Sequence, residues 1–318
     1  MRFFYYLIIF LCTTLYSKEK ENLYYYEEAL KTEKISSLLS IPLYEEFLKN
    51  NPSNKYASAT ISRLYELYNI TNRIDDIIIL SETYDLDKSK KKNYISLISK
   101  IANSIGISFE VFSNITKLSI KTDEESNQKL MDIYLKNSNI MLLNYIFAIK
   151  LKKGEYNFID RLFKLIPEIS PILRIIYLIK INSSDLRYEI NHLIQNETDD
   201  TKREIYFLYG VYLTKNKRFK EGIRFFKMSI SYSKPDKFGN FPKSVLEISK
   251  SLYIKGYYDI SCDFIENKKF NFQSESDDFM RIYCNPEMKN ELSKLKPALK
   301  IAALRDNNLV FKRYLNDL

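Results

Sequence analysis

Hydrophobic positions recur three and four residues apart along most of the chain, the spacing of one face of an α-helix. The pattern is clearest over 203–235, REIYFLYGVYLTKNKRFKEGIRFFKMSISYSKP. Tyr206, Tyr209, Gly210 and Leu213 mark one face of a first helix. Lys215, Asn216, Lys217 and Arg218 form a polar turn. Phe219, Gly222, Phe226 and Ser229 mark a second helix, and Pro235 closes the unit. A second copy runs over 242–267, offset by 39 residues, as from Tyr206 to Val245. Val245, Ile248, Ser249 and Leu252 take the first-helix positions, and Gly256, Tyr258, Ser261 and Ile265 complete the copy. The offset exceeds one repeat period by an insertion placed at 237–241. Gly inside a helix costs roughly 1 kcal/mol against Ala, so Gly210 and Gly222 are expected where two helix backbones approach closely.

This order of large, small and aromatic positions resembles the tetratricopeptide (TPR) repeat, whose period is about 34 residues. Residues 45–68 add to the likeness. Phe47, Leu48, Pro52, Tyr56 and Ala57 are similar to the joining phrase of the periplasmic TPR subfamily found in outer-membrane assembly and cell-division proteins. The resemblance implies an all-α, right-handed solenoid of antiparallel helix pairs, with roughly six or seven hairpins. One hairpin cannot bury its apolar face alone, so neighbours must stack.

The rest of the chain reads as helices of weaker signature. A first helix is expected over 22–39, and Pro42 fits the first turn of a second helix ending before Pro52. A third carries Ala59, Leu64, Leu67 and Tyr68, and a fourth Ile77, Leu80 and Tyr84. Residues 85–93 read as a charged joint, followed by a hairpin over 94–118 that turns at Gly106. Residues 122–126 read as an acidic loop with a cap for the next helix, which begins with Leu130, Ile133, Tyr134 and Leu135; the register over 70–140 stays open. In 140–167 the run Lys152-Lys153-Gly154-Glu155-Tyr156 places Gly154 where a left-handed residue ends a helix. A shorter hairpin over 171–196 turns at Asn182 to Asp185. Beyond 269 the pattern loosens. Ser276, Asp277 and Asp278 can cap a helix, Asn285-Pro286-Glu287 starts another, and a last helix ends at Leu318. The expected division is a signal peptide at 1–17, a repeat domain at 18–269 and capping helices at 270–318.

Composition supports helices. The chain has 6 Gly and 8 Pro in 318 residues, too few for the turns of a sandwich or barrel. Residues 1–17, MRFFYYLIIFLCTTLYS, have a basic start, a short apolar core and a small residue before a charged run. That is the layout of a secretory signal, too short for an ordinary membrane span. An uncleaved anchor and a leader lipidated at Cys12 are the alternatives. The leader implies an exported, periplasmic protein. The remaining cysteines, Cys262 and Cys284, are then a candidate disulfide, with two buried thiols as the alternative. Net charge is +9, spread along the chain with one run at 88–92. Such a charge fits a solvated lysine-rich surface first, with contact with an anionic membrane surface or an acidic partner as the alternative. Nucleic acid is not expected, for no recognition motif is present.

Candidate chemistry is sparse. His192 is the only histidine, so no His-based zinc site is available, and no Cys-x-x-Cys, nucleophile elbow or phosphate loop occurs. Glu45-Glu46 and Asp75-Asp76 are helix neighbours that do not face each other. No cofactor, metal or catalytic residue is expected. The 26 tyrosines read as seam residues with hydroxyls at a wet edge. What the resemblance does imply is a partner-binding groove lined by the first helix of each pair. Its expected residues are Met141, Asn144 and Ala148; then Glu204, Phe207, Val211 and Lys215; then Leu246, Lys250 and Tyr253. Such a surface suits an apolar helix or extended segment with acidic residues, supplied by a protein partner. The function expected is a non-catalytic periplasmic scaffold or adaptor in cell-envelope assembly. A structural part of a periplasmic flagellar motor collar is one alternative, and an enzyme accessory or cryptic cell-wall hydrolase is another. Oligomeric state is not legible.

Overall fold

The computed structural model describes residues 23–317 except 138, 167–169, 196, 234–238 and 306. The leader with Cys12, Pro167, Pro235, residues 237 and 238 of the insertion and Leu318 lie outside the described residues. Residues 23–33 form α1, followed by α2 (Ser37–Asn50) and α3 (Ala57–Ile70). Next come α4 (Ile74–Thr83), α5 (Lys88–Ile105), α6 (Phe109–Ser119), α7 (Glu124–Asn137), α8 (Ile140–Lys152) and α9 (Tyr156–Leu165). They continue as α10 (Pro171–Lys180), α11 (Leu186–Ile194), α12 (Asp199–Lys215), α13 (Phe219–Ser231), α14 (Lys243–Ile254) and α15 (Tyr258–Asp263). The chain closes with α16 (Glu275–Tyr283), a 3-10 helix (Lys289–Leu295), α17 (Lys296–Arg305) and α18 (Leu309–Asn316). No strand occurs among the described residues, and the all-α class expected from the spacing is what the structure shows.

The chain divides into two compact units, one of residues 73–271 and one of residues up to 72 together with 272–318. The unit of 73–271 holds both copies of the motif, at 203–235 and 242–267. The other unit gathers the first three helices with the C-terminal ones.

In the unit of 73–271, neighbouring helices pack as pairs, and a second set of contacts links every other helix. The packing runs from α4 to α6, α6 to α8, α8 to α10, α10 to α12 and α12 to α14. The even-numbered helices therefore form one layer and the odd-numbered helices flank it, which makes this unit a stack of helix pairs. Composition follows the layers. α8, IMLLNYIFAIKLK, is apolar on nearly every side, as a helix covered from both directions must be. α9 and α13 carry one apolar stripe and a charged back. The turns obey the expected chemistry. Gly106 (φ 74°) and Gly154 (φ 76°) end α5 and α8 in the left-handed conformation, and Asn182 (φ 51°) does so after α10.

The seam of α12 and α13 accounts for the two helical glycines. A Cβ on Gly210 would stand 2.5 Å from the ring of Phe226, which is fully buried. A Cβ on Gly222 would stand 2.5 Å from the Thr214 methyl and 3.1 Å from the Gly210 carbonyl oxygen. In α14 and α15 the equivalent residues are Ser249 and Ser261, both fully buried. Ser249 Oγ donates to the Ser261 carbonyl at 2.7 Å, and Ser261 Oγ donates to the Ser249 carbonyl at 2.9 Å. Two hydroxyls there fill the space that two hydrogens leave empty in the first copy.

In the other unit, α2 packs against α3, α16 and α17. Its stretch Leu39–Tyr44 is buried without a break, as are Phe47 and Leu48. The first helix expected over 22–39 is in fact split. Ser36 accepts from the Leu39 amide at 3.0 Å and caps a new helix, so Pro42 lies inside α2 rather than in its first turn. Proline there removes one helical hydrogen bond. Three further expectations are corrected. The charged joint at 85–93 is helical from Lys88, because Asp87 caps α5 through the Lys90 amide at 2.9 Å. Asn285-Pro286-Glu287 leads into a 3-10 helix and not an α-helix. Ala59 is exposed on α3, where Thr60 and Ile61 are buried instead.

The tyrosines recur as clasps to the preceding helix. Tyr44 donates to Glu33 at 2.7 Å, Tyr68 to Glu45 at 2.6 Å, Tyr94 to Glu82 at 2.7 Å and Tyr177 to Asp160 at 2.5 Å. Burial, then the Asp160 carboxylate, push the Tyr177 phenol up to about 12 from its ordinary 10.0.

Two outcomes are expected. Gly210→Ala and Gly222→Ala should each lower stability by about 1–3 kcal/mol through overpacking, although alanine is the better helix former. Thermal or urea denaturation checks this, and a raised midpoint in both variants would sink the close-approach argument. Between pH 10 and about 12 the unfolded chain has released a Tyr177 proton that the folded chain keeps. Stability must therefore fall as pH rises through that window. Tyr177→Phe should lose about 1 kcal/mol at neutral pH and show a shallower alkaline decline than the parent in parallel urea titrations.

Candidate functional site

The expected groove residues fall into three classes. On α8, Met141 is 56% exposed, while Asn144 and Ala148 are half-buried. On α12, Glu204, Phe207 and Val211 are half-buried and Lys215 is exposed. On α14, however, Leu246, Lys250 and Tyr253 are buried, at 1%, 6% and 1% exposure. Those three do not present an open wall. Nearly the whole of α14 is enclosed, from Ser244 to Tyr253, so a face that helical spacing makes look free is covered. The Lys250 amine lies 2.6 Å from the Glu247 carboxylate one turn back.

Glu204, Phe207 and Leu246 nonetheless converge on one pocket of about 280 Å³ where α12, α13 and α14 meet. Its apolar wall is Phe207, Leu246, Phe241 and Phe270. Phe207 leans on Phe226 with ring centroids 6.2 Å apart, and Phe241 on Phe270 at 6.0 Å. Polar groups share the lining: Arg203, Glu204 and Lys243 carry charge, and Asn240 and Asn271 carry amides. A hydroxyl relay fixes the wall. Ser244 Oγ donates to Ser229 Oγ at 2.8 Å, and Ser229 Oγ donates to the Arg203 carbonyl at 2.9 Å. The relay ties the start of α14 to the end of α13 and the start of α12. The segment 240–242 is held by the Phe241 amide, which donates to the Lys269 carbonyl at 2.8 Å.

Sequence reasoning missed Phe241, Phe270, Asn240 and Asn271. The first and third sit in the insertion between copies, and the others lie past the end of the second copy. None belongs to a helical period. The signal that was available is composition: two phenylalanines and two asparagines in breaks of the pattern, where polar connections are expected.

The remaining reactive groups have structural surroundings. His192 is exposed and lies beside the Tyr188 ring at 6.4 Å. Among the described residues no group of three or more His, Cys, Asp and Glu side chains converges. Cys262 lies on α15 and Cys284 follows α16, in different units. Among the described residues no single helix is long and apolar enough to cross a membrane. Lys150 on α8 is fully buried. Its amine donates to the Lys121 carbonyl and sits 5.3 Å over the Phe158 ring. Burial holds its pKa below the ordinary value, against the pull of Glu155 and Asp123.

No family model matches the sequence, and neither a curated protein nor a solved structure matches the chain. The functional reading therefore rests on the chain's own residues.

Lys150 should behave as a filler of its site. Lys150→Met keeps most of the volume and removes a buried charge, so it is expected to leave stability nearly unchanged or raise it. Lys150→Ala leaves a cavity and is expected to cost about 2–5 kcal/mol. Urea titration of the two variants separates them; equal losses in both would show that the charge itself is needed.

Proposed function

We propose that this chain is a non-catalytic scaffold or adaptor of the cell envelope that holds a protein partner in the pocket formed by α12, α13 and α14. The observation that carries this reading is the mixed lining of that pocket. Aromatic walls beside amides and both signs of charge suit an extended peptide segment, whose backbone takes the polar groups and whose side chain takes the rings. The stacked helix pairs and the repeated motif at 203–235 and 242–267 support placing the chain with tetratricopeptide-type adaptors. The signal-like leader supports export to the periplasm.

Crosslinking in intact cells, followed by recovery of the mature protein, tests the reading. Phe207→Ala and Glu204→Lys should each reduce recovery of the same partner at least about tenfold, as expected for a residue central to a contact. Flagellar ring components among the partners would favour the motor-collar alternative. Unchanged recovery in both variants, or no partner together with measurable peptidoglycan hydrolysis, would overturn the adaptor assignment.

A further inference from the structure

We propose that the pocket between α4, α5 and α6 is a second docking site, for a partner segment in which one large apolar side chain is flanked by acidic residues. It rests on the adaptor reading only in taking the ligand to be a protein segment; the site is a different one.

The pocket measures about 380 Å³. Leu86, Tyr94, Ile98 and Phe109 line it, and Ile95 beside them is 45% exposed. A concavity of this size admits a side chain rather than the surface of a bilayer. Ser81 also lines it, with a buried hydroxyl oxygen that has no hydrogen-bond partner among the described residues. An unsatisfied buried hydroxyl is costly, and a polar atom arriving with a ligand would relieve that cost.

Charge selects the ligand. Lys91 and Lys117 line the pocket. Lys88, Lys90 and Lys92 share the first turns of α5 with Lys91, and that first turn contains no acidic residue. Cations at a helix N-terminus oppose the helix dipole, so folding alone does not favour this arrangement. Two carboxylates also line the pocket. Glu82 is engaged, accepting from Tyr94 Oη at 2.7 Å and Thr116 Oγ1 at 2.9 Å. Asp85 is exposed at the edge, and Asp87 caps α5. In the lining the two lysines stand against two carboxylates, but Glu82 is already held by two hydrogen bonds, and α5 adds further lysines in its first turns. Carboxylates on either side of a buried apolar anchor complement these lysines.

The test is fluorescence anisotropy with the full chain and a labelled peptide of glutamates around a single phenylalanine. The expected results are binding that weakens with added salt, and a loss of at least about tenfold when Lys91→Glu and Lys117→Glu are combined. A peptide with alanine in place of the phenylalanine should bind at least about tenfold more weakly. Ser81→Ala should lower affinity while leaving the free protein as stable or more so, which separates docking from misfolding. Lys164→Glu, on exposed α9 surface, should change nothing. The proposal fails if the lysine double variant binds as before, if the alanine peptide binds equally, or if vesicles of anionic lipid displace the peptide. Failure here with partner recovery still dependent on Glu204 and Phe207 would leave the adaptor reading standing. Peptide binding here with unchanged recovery in those variants would do the reverse.

Discussion

The stack of helix pairs depends on how closely two helix backbones can approach along a seam. At the α12–α13 seam the approach is set by Gly210 and Gly222, where a single added carbon would meet a buried ring or a backbone carbonyl. At the α14–α15 seam Ser249 and Ser261 meet the same constraint differently, each hydroxyl bonding the carbonyl of the facing residue. A glycine pair gains contact area and loses helix propensity. A serine pair keeps more propensity, but it must satisfy two buried hydroxyls, and the reciprocal bonds do so. The two seams have one geometry and two chemistries.

A second constraint acts sideways. A tyrosine in a seam has a ring to bury and a hydroxyl that must find a partner. In four places that partner is a carboxylate on the preceding helix, as with Tyr177 and Asp160 or Tyr94 and Glu82. The ring fills the seam, and the hydroxyl bonds across it to the preceding helix. At Tyr44 and Tyr177 burial and the adjacent carboxylate both favour the protonated phenol, which is the form that donates.

The strong seam was legible in the sequence because its determinants are local and periodic. Tyr206, Tyr209, Gly210 and Leu213 repeat at helical spacing and are buried as a face. The start of the chain was less legible, for a reason visible at Ser36 and Pro42. A proline at a helix start is the common case, yet the serine cap six residues earlier wins, and the proline is carried inside α2. Likewise the lysine run at 88–92 looks like a solvated joint until Asp87 is recognised as a cap. The groove residues on α14 could not be judged at all from spacing. Periodicity shows which face of a helix meets its pair, but not whether the opposite face is covered, and Leu246 and Tyr253 are.

The pocket at α12–α14 shows why site residues are harder to read than fold residues in a repeat. Residues that keep the period are committed to seams, and their side chains are occupied by neighbouring helices. A cavity opens where the period is interrupted, here by the connection at 240–242 and the segment after α15 that returns to bond it. Phe241 and Phe270 pack on each other there, outside any helix, and leave one side of their rings lining open space. The same reasoning applies at α4–α6, where the pocket edge is made by Tyr84, Asp85 and Leu86 between two helices. In both places the pocket is closed by a break between helices, while the helices beside it supply the rest of the wall.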